Sequence, residues 1–337
     1  MKRPRVVVID DSAFARTVLA RLMRASNRID IVGTARDGRD GLERIAALDP
    51  DVVTLDLTMA EMDGLAVLRE LQGRARPRVI VVSISTIDTE IGAEALSLGA
   101  IDLVAKPTAL ATERLHEIGD ELVAKVLAAA ASFLEPTSPL LQVQKPVIGG
   151  RVDLITIGTS TGGPQALTRL MSALPAKLDA PIAIVLHIPA GYTEALARRL
   201  DKASQLDVAE AEDGMELRPG LAILARGGMH LRIERVGSAL VARLGMLPLR
   251  AFMPSVDELF LSAAEVVGAR TLGIVLTGMG DDGLVGSKAI AAAGGSLMTE
   301  SSASCVVYGM PRCVDEAGLG AASYPLDDMA REIKKRV

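Results

Sequence analysis

The sequence alternates twice between short β-branched runs and amphipathic runs, and this alternation constrains the fold more than any other feature. Between residue 4 and about residue 134, apolar runs bounded by Asp, Gly or Pro indicate buried strands. The predicted strands are Arg5–Asp10, Ile29–Thr34, Asp51–Asp56, Val79–Ser83 and Asp102–Lys106. Segments between them, such as Ala13–Ala25 and Gly38–Leu48, have helical apolar spacing. The pattern predicts a parallel sheet with helices on both faces.

A segment rich in proline and glycine divides the chain. Residues 135–150 contain three prolines and end in Gly-Gly, which predicts a linker. The alternation then restarts, with strands predicted over Arg151–Ile157, Ile182–Leu186 and Thr271–Leu276, and hairpin-like strands over Gly220–Ile233 and Ala239–Leu244. We therefore expect an α/β protein with two doubly wound parallel-sheet domains, residues 1–134 and 151–337, the second carrying a β-hairpin insertion. The length of 337 residues fits two domains.

Composition excludes several classes of function. Residues 1–150 carry 18 Lys/Arg against 21 Asp/Glu, and residues 151–337 carry 19 against 21, so neither half has the cationic surface of a nucleic-acid-binding domain. Two cysteines and three histidines are too few for a disulfide framework or a zinc cage. Met1 leads directly into a strand without a signal-peptide pattern, and no apolar run is long enough to span a membrane. We expect a cytoplasmic protein.

Polar residues stand where the predicted strands of the first half end. They are Asp10 and Asp11, Asp56, Ser83 and Lys106. The carboxyl ends of parallel strands share one edge of a sheet, so these side chains should meet in one pocket. Crowded carboxylates repel one another unless a hard cation joins them, which predicts Mg²⁺. A carboxylate that also meets a phosphoryl donor can become a phosphoaspartate, with Lys and Ser pairing to the new oxygens. Taken singly, each Asp is equally explained as a turn former.

These residues, together with the run Leu57-Thr-Met-Ala-Glu-Met-Asp-Gly, make residues 4–130 resemble a response-regulator receiver domain, which has a flavodoxin-like fold. Ala60 departs from the family, which usually has Pro there, and Ser85 and Thr86 lie close to Ser83. The resemblance implies Asp56 as phosphoacceptor, Asp10, Asp11, Asp56 and the backbone carbonyl of Leu57 as Mg²⁺ ligands, and Ser83 and Lys106 as switch residues.

A serine and a histidine stand at strand ends of the second half. The run Gly158-Thr-Ser-Thr-Gly-Gly-Pro164 fits Gly-x-Ser-x-Gly between a strand and a helix, which presents a serine hydroxyl at a helix N-terminus. Ser160 is therefore either a nucleophile or the cap of a glycine-rich anion-binding turn. His187 ends the strand Ile182–Leu186. His116 and His230 are predicted to be surface or structural residues.

A third turn, Leu276-Thr-Gly-Met-Gly-Asp-Asp-Gly283, supplies an aspartate that can orient the histidine of a triad. Taken alone, Asp281 and Asp282 are also explained as helix caps. The chain order Ser, His, Asp differs from that of α/β-hydrolases and from both protease orders, which argues against those superfamilies.

The second half resembles the catalytic domain of the chemotaxis methylesterase (CheB) family, which is Rossmann-like. Further matching runs are His187-Ile-Pro-Ala-Gly-Tyr-Thr, Pro254-Ser-Val-Asp-Glu-Leu-Phe and Cys305-Val-Val-Tyr-Gly-Met-Pro. The resemblance implies a triad of Ser160, His187 and Asp282. It also implies that Thr161 and Met279 border the oxyanion site. Thr159 and Arg226 depart from the family pattern.

The resemblance implies phosphorylation-regulated hydrolysis of glutamate γ-methyl esters, and deamidation of some glutamines, on chemoreceptor cytoplasmic domains. It implies a chemotaxis histidine kinase as phosphodonor, Mg²⁺ in the receiver and no cofactor for the ester reaction. We expect a monomer that binds no nucleic acid and does not insert into the membrane. The alternative is a receiver-controlled binding module with little or no esterase activity; a transcription factor is opposed by the absence of a basic recognition helix.

Overall fold

Two units make up the chain, Met1–Leu134 and Glu135–Val337. The computed structural model describes residues 3–74, 76–84, 89–106, 118–131 and 151–337. The predicted linker over residues 135–150 and His116 lie outside these described residues.

In the first unit, strands and helices alternate. The strands are β1 (Arg5–Ile9), β2 (Asp30–Ala35), β3 (Val52–Leu55), β4 (Arg78–Ile84) and β5 (Asp102–Lys106). The helices are α1 (Ala13–Ala25), α2 (Gly38–Leu48), α3 (Gly64–Leu71), α4 (Thr89–Ser97) and α5 (Gly119–Ala131). The sheet order is β2-β1-β3-β4-β5, with every pair parallel. The carboxyl ends of β1, β3 and β5 therefore share one edge of the sheet.

The second unit is built on a larger parallel sheet. Its strands are β6 (Leu154–Thr159), β7 (Ile182–Leu186), β8 (Asp207–Glu210), β9 (Glu216–Leu217), β10 (Leu221–Leu224), β11 (His230–Val236), β12 (Ala239–Gly245), β13 (Thr271–Val275), β14 (Ser296–Glu300) and β15 (Ala322–Tyr324). The parallel sheet has the order β15-β14-β13-β6-β7-β10-β8. A separate antiparallel sheet has the order β11-β12-β9. The strands β6, β7 and β13, which precede the predicted site residues, are therefore neighbours at the centre of the parallel sheet.

Six α-helices are seen in the described part of the second unit. They are α6 (Gly163–Ala173), α7 (Thr193–Ala203), α8 (Val256–Val266), α9 (Leu284–Ala292), α10 (Met310–Glu316) and α11 (Leu326–Lys334). The expected α/β class with parallel sheets is confirmed in both units. Across the described residues, no helix has both the length and the apolar character that a membrane crossing requires.

The structure corrects one strand assignment in the second half. The predicted hairpin-like strand over Gly220–Ile233 is two strands: β10 joins the parallel sheet between β7 and β8, and β11 pairs with β12 in the antiparallel sheet. All four residues of β10 are buried apolar residues, as expected of an interior parallel strand. Strands β8, β9, β14 and β15 were not predicted, because β8 and β14 have charged residues in short runs and β9 and β15 have only two and three residues.

Candidate functional sites

The acidic pocket of the first unit forms at the carboxyl ends of β1, β3 and β5. Oxygen atoms of Asp10, Asp11 and Asp56 lie within 4.8 Å of one another. The ammonium group of Lys106 lies 2.6 Å from Asp10 Oδ2 and 2.5 Å from Asp56 Oδ2. Asp10 and Asp56 are buried, whereas Asp11 is exposed. The structure thus brings together four of the residues that the sequence predicts for this site.

Burial and charge oppose each other at Asp56. Burial raises the pKa of Asp56, the charge and hydrogen bond of Lys106 lower it, and the charge of Asp10 raises it, so that the net pKa lies above its ordinary value. A carboxylate in this condition gains from a further positive charge. Three clustered carboxylates with oxygen donors fit a hard divalent cation such as Mg²⁺.

The other predicted receiver residues have distinct surroundings. Ser83 is 1% exposed, and its hydroxyl has no hydrogen-bond partner within the described residues, so it is available to a new ligand oxygen. The backbone carbonyl of Leu57 accepts a hydrogen bond of 3.0 Å from Gly64 N. Two of the other predicted Mg²⁺ ligands also have intramolecular donors, because Lys106 Nζ lies on both Asp10 and Asp56. Ser85 and Thr86 lie outside the described residues.

Backbone hydrogen bonds hold the three predicted turns of the second unit together. His187 N donates to Thr159 O over 3.1 Å, which ties the turn after β7 to the end of β6. Ser160 N donates to Thr277 O over 3.1 Å, which ties the serine turn to the turn after β13. Gly278 also packs closely against Ser160, because a Cβ at position 278 would lie 2.9 Å from Ser160 Cβ. Ser160, His187 and the aspartate turn therefore meet because their strands are neighbours.

The imidazole of His187 faces Asp282. Its Nε2 lies 2.8 Å from Asp282 Oδ2. Asp282 is buried and Asp281 is exposed, so the contact distinguishes the two neighbouring aspartates. His187 Nδ1 is buried and has no hydrogen-bond partner in the part of the chain that the structure describes. With Asp282 accepting at Nε2–H, Nδ1 is the nitrogen left to accept a proton.

Asp282 accepts hydrogen bonds from the start of α8. Ser255 Oγ donates to Oδ1 over 2.9 Å, Val256 N donates to Oδ2 over 2.7 Å, and Asp257 N donates to Oδ1 over 3.0 Å. Burial raises the pKa of Asp282. The hydrogen bond and charge of His187, together with the backbone N–H groups of Asp257 and Val256, lower the pKa by more than burial raises it. The net pKa lies below its ordinary value, so this carboxyl group is held in the ionised form.

One aromatic contact and one pair of buried hydrogen bonds in this region were not found by sequence reasoning. The ring of Phe252 stacks on His187 with 4.2 Å between centroids and 5° between planes. His230 is fully buried: its Nε2 lies 2.9 Å from Pro248 O, and its Nδ1 accepts a hydrogen bond from Ser255 N over 3.1 Å. His230 is therefore structural, one of the two predicted options. The nearby run Pro254-Ser-Val-Asp was a sequence signal, but it carried no assigned role.

The two residues predicted to border the oxyanion site are chain neighbours of Ser160 and of Gly278. Thr161 follows Ser160 in the chain, is fully buried, and accepts a hydrogen bond at its carbonyl from Thr277 Oγ1. Met279 follows Gly278 and is partly buried. Arg226, by contrast, is exposed and lies 3.7 Å from Glu210, so its departure from the family pattern falls on the protein surface.

Comparison with known proteins decides the family. The CheB methylesterase family matches residues 155–333, and the response regulator receiver domain family matches residues 6–118. The chain belongs to the CheB methylesterase family. This CheB-family chain is 54% identical over 340 residues to the protein-glutamate methylesterase/protein-glutamine glutaminase 5 of Myxococcus xanthus, with 99% of the chain and 98% of that protein covered.

Two further relatives agree with this assignment to the CheB family. The protein-glutamate methylesterase/protein-glutamine glutaminase of Symbiobacterium thermophilum is 42% identical over 357 residues, with 100% of this chain and 98% of that protein covered. The crystal structure of the CheB methylesterase catalytic domain of Thermotoga maritima has 36% sequence identity and a TM-score of 0.54, covering 55% of this chain and 99% of that one. The similarity extends over both units of the chain.

Proposed function

We propose that this chain hydrolyses glutamate γ-methyl esters of chemoreceptors at Ser160, His187 and Asp282, under control of phosphorylation at Asp56. The observation that carries the proposal is the pairing of His187 Nε2 with the buried, ionised Asp282 over 2.8 Å beside the Ser160 turn. Asp282 fixes the imidazole and stabilises the imidazolium that forms during proton transfer.

In the first half of the reaction, Ser160 Oγ attacks the ester carbonyl carbon while His187 Nδ1 takes the hydroxyl proton. The carbon–methoxy bond breaks, His187 gives its proton to the leaving oxygen, and methanol departs. Water then attacks the acyl-serine in the same way, with His187 as base and then as acid, which releases the glutamate carboxylate and restores Ser160. The start of α6 follows Ser160 closely, so the positive end of its helix dipole lies near the developing oxyanion, with Thr161 and Met279 at the border of this site.

Replacement of the nucleophile tests the activity. Ser160→Ala should lower kcat for methanol release from methylated receptor by at least about 1,000-fold, because the residue that forms the covalent bond is lost. Circular dichroism and thermal unfolding should match the wild type. Turnover near the wild-type rate in Ser160→Ala would contradict the assignment. A wild-type chain that releases no methanol would favour the binding-module alternative.

The same acyl chemistry serves a second substrate. The relatives named above are also called protein-glutamine glutaminases. Attack of Ser160 on a glutamine carboxamide gives the same acyl-serine, with ammonia as the leaving group, and His187 supplies the proton. We propose that the chain deamidates receptor glutamines at this site. Ammonia release from a receptor with unmodified glutamines, lost in Ser160→Ala, is the expected result.

We propose that Asp56 is the phosphoryl acceptor and that Asp10, Asp11 and Asp56 hold Mg²⁺ in the receiver, with a backbone carbonyl of the loop after β3 (Leu57 in the sequence prediction) as a further ligand. When bound, Mg²⁺ neutralises charge on the transferring phosphoryl group. Asp56 supplies the attacking oxygen, Lys106 Nζ is close enough to pair with a phosphoryl oxygen, and the unpartnered hydroxyl of Ser83 donates to another.

The proposed regulation couples the two units. We propose that the unphosphorylated receiver covers the catalytic face, and that a chemotaxis histidine kinase relieves this inhibition by phosphorylating Asp56. The chain then acts in the cytoplasm, where the methylated cytoplasmic domains of chemoreceptors are its substrates. Methanol release with and without a small phosphodonor tests this control directly, with Asp56→Asn as the variant that should not respond.

A further inference from the structure

Helix α8 receives its N-terminal cap from a distant residue. Its own flanking residue, Ser255, makes no cap hydrogen bond to the helix, since the hydroxyl is donated to Asp282 instead. The free N–H groups of Val256 and Asp257 at the helix start also point to the Asp282 carboxylate, over 2.7 and 3.0 Å. A carboxylate at a helix N-terminus is stabilised by these donors and by the helix dipole. Asp282 is therefore the cap of α8, although it lies 26 residues away in the chain.

Helix α9 is capped in return by a residue of α8. Gly283, at the N-cap position of α9, has no side chain to cap the helix. Asp257 Oδ1 accepts hydrogen bonds from Gly283 N over 2.9 Å and from Gly286 N over 2.8 Å. Asp257 stands on the first turn of α8, and Gly283 directly follows Asp282. The two helices are thus capped reciprocally. Asp282, which directly precedes the N-cap of α9, caps α8, and Asp257 of α8 caps α9.

We propose that Asp257 is a positioning residue for the hydrolysis, because it fixes the start of α9 and thereby the carboxylate of Asp282 against His187. The proposal rests on the function proposed above. Asp257 has no contact with His187 or Ser160 among the contacts described, so the action of its side chain on the reaction passes through the backbone of Gly283 to the neighbouring Asp282.

Close packing of α8 against α9 accompanies these hydrogen bonds. A Cβ at Gly286 would lie 2.3 Å from Phe260 Cβ, so α8 and α9 are in close backbone contact. Next to the start of α8, Ser255 N donates to His230 Nδ1 over 3.1 Å. The start of α8 is therefore held by both His230 and Asp282. The turn that carries Asp282 is held to α8 by the two hydrogen bonds to the Asp257 side chain, in addition to the three hydrogen bonds that the Asp282 carboxylate accepts from the start of α8.

The charges of the pair are consistent with this arrangement. Burial raises the pKa of Asp257, hydrogen bonds from Gly286 and Gly283 lower it, and the charge of Asp282 raises it, with a net pKa above the ordinary value. Asp282, which also pairs with His187, has its net pKa lowered. The two neighbouring carboxyl groups thus differ in pKa, and Asp282, which faces the imidazole, ionises more readily than Asp257. The role proposed for Asp257 needs an acceptor oxygen rather than a negative charge.

Two substitutions distinguish the need for an acceptor oxygen from the need for a negative charge at Asp257. Both are made in the full-length chain, which is treated with a small phosphodonor. Asp257→Ala removes the acceptor and should lower kcat for methanol release about 10- to 100-fold, the cost of a displaced catalytic group, with KM within about twofold. Asp257→Asn keeps an acceptor oxygen for Gly283 and Gly286 and should restore kcat to within about threefold of the wild type. A matched control is Asp201→Ala, which removes a carboxylate that accepts from Val208 N over 2.8 Å elsewhere in this unit.

The proton on His187 Nε2 gives a readout that does not depend on turnover. Its downfield proton resonance, assigned by its absence in His187→Gln, should shift or broaden in Asp257→Ala and stay in place in Asp257→Asn and Asp201→Ala. Equal losses of kcat in Asp257→Ala and Asp201→Ala, or an unchanged resonance in Asp257→Ala, would overturn the proposal. If Asp257→Ala does not fold, Asp257→Asn is compared with Asp257→Ser, whose shorter side chain should give an intermediate kcat; equal kcat values would also overturn it.

The failure of the underlying function has a different signature. If the wild type releases no methanol, or Ser160→Ala releases it at the wild-type rate, the proposed function is wrong whatever the Asp257 variants do. If the wild type is active, Ser160→Ala is inactive and Asp257→Ala matches the wild type, only the positioning role is wrong.

Discussion

The orientation of the His187 ring decides which of its nitrogens can act as the base. Asp282 forms a hydrogen bond with Nε2, and Phe252 stacks on the ring face. Nδ1 is buried and has no hydrogen-bond partner in the described structure. In the serine-protease template the ring is used in the opposite sense, with the aspartate at Nδ1 and the serine at Nε2. The chemistry is unaffected, because a neutral imidazole offers one donor and one acceptor in either tautomer.

At the same scale, Lys106 acts as a counter-ion within the acidic pocket. It lies within 2.6 Å of both Asp10 and Asp56, where a divalent cation would add to or replace its charge. Lys106→Met should therefore raise Mg²⁺ affinity of the full chain about tenfold, and Asp11→Asn should lower it by a similar factor. Titration calorimetry with MgCl₂ measures both.

Lys177→Met, which removes an exposed charge in the other unit, is the matched control and should bind Mg²⁺ like the wild type. A Lys106→Met variant with unchanged or weaker affinity would show that the lysine does not compete with the cation for this pocket.

At the scale of elements, the end of β14 supports the serine turn through a buried carboxyl group. Glu300 is 1% exposed and accepts hydrogen bonds from Thr277 N and Ser304 Oγ, each over 2.9 Å. Thr277 O in turn accepts from Ser160 N. The carboxyl end of β14 thus anchors the turn after β13, which anchors the turn after β6.

Burial raises the pKa of Glu300; hydrogen bonds from Thr277, Ser304 and Cys305 lower it, and the net pKa remains above the ordinary value. An acid with a raised pKa binds more protons when folded than when unfolded, so its contribution to stability is lost as pH rises from the unfolded pKa through the folded one. Glu300→Gln removes this titration. Its free energy of unfolding relative to the wild type should therefore increase between about pH 4 and pH 7, as measured by urea denaturation. A difference that stays constant, or that falls with pH, would contradict a raised pKa.

Element assignment from sequence succeeded where the periodic signal was long. Helices α1 and α2 span the predicted residues Ala13–Ala25 and Gly38–Leu48, since each has a clear apolar face and an N-terminal Ser or Asp cap. Strand β10 was misassigned because a four-residue apolar run looks the same in a hairpin and in a buried parallel sheet. Only the neighbours β7 and β8 distinguish the two.

At the scale of the whole molecule, the proposed control by the receiver predicts the effect of its removal. A chain that lacks residues 1–145 should release methanol without a phosphodonor at least about fivefold faster than the full chain, since a covering partner is lost. The solved catalytic domain of Thermotoga maritima, 99% of which is covered, supports folding of this unit by itself. Activity of the shortened chain equal to or below that of the full chain would contradict inhibition by covering.

The sequence by itself determined the class of both domains and the turns that carry the candidate residues. Local periodicity specifies strands and helices, and parallel strands place their carboxyl ends at one edge, so Asp10, Asp56 and Lys106 had to meet. The same reasoning brought the Ser160, His187 and Asp282 turns together.

Only the tertiary structure decided how those side chains are used. The pairing of Asp282 with one ring nitrogen of His187, the stacking of Phe252, the buried hydrogen bonds of His230 and the exchange of caps between α8 and α9 all join residues 18 to 95 positions apart. No local pattern encodes such contacts, because they depend on how closely two helices pack and on which backbone donors the packing leaves free.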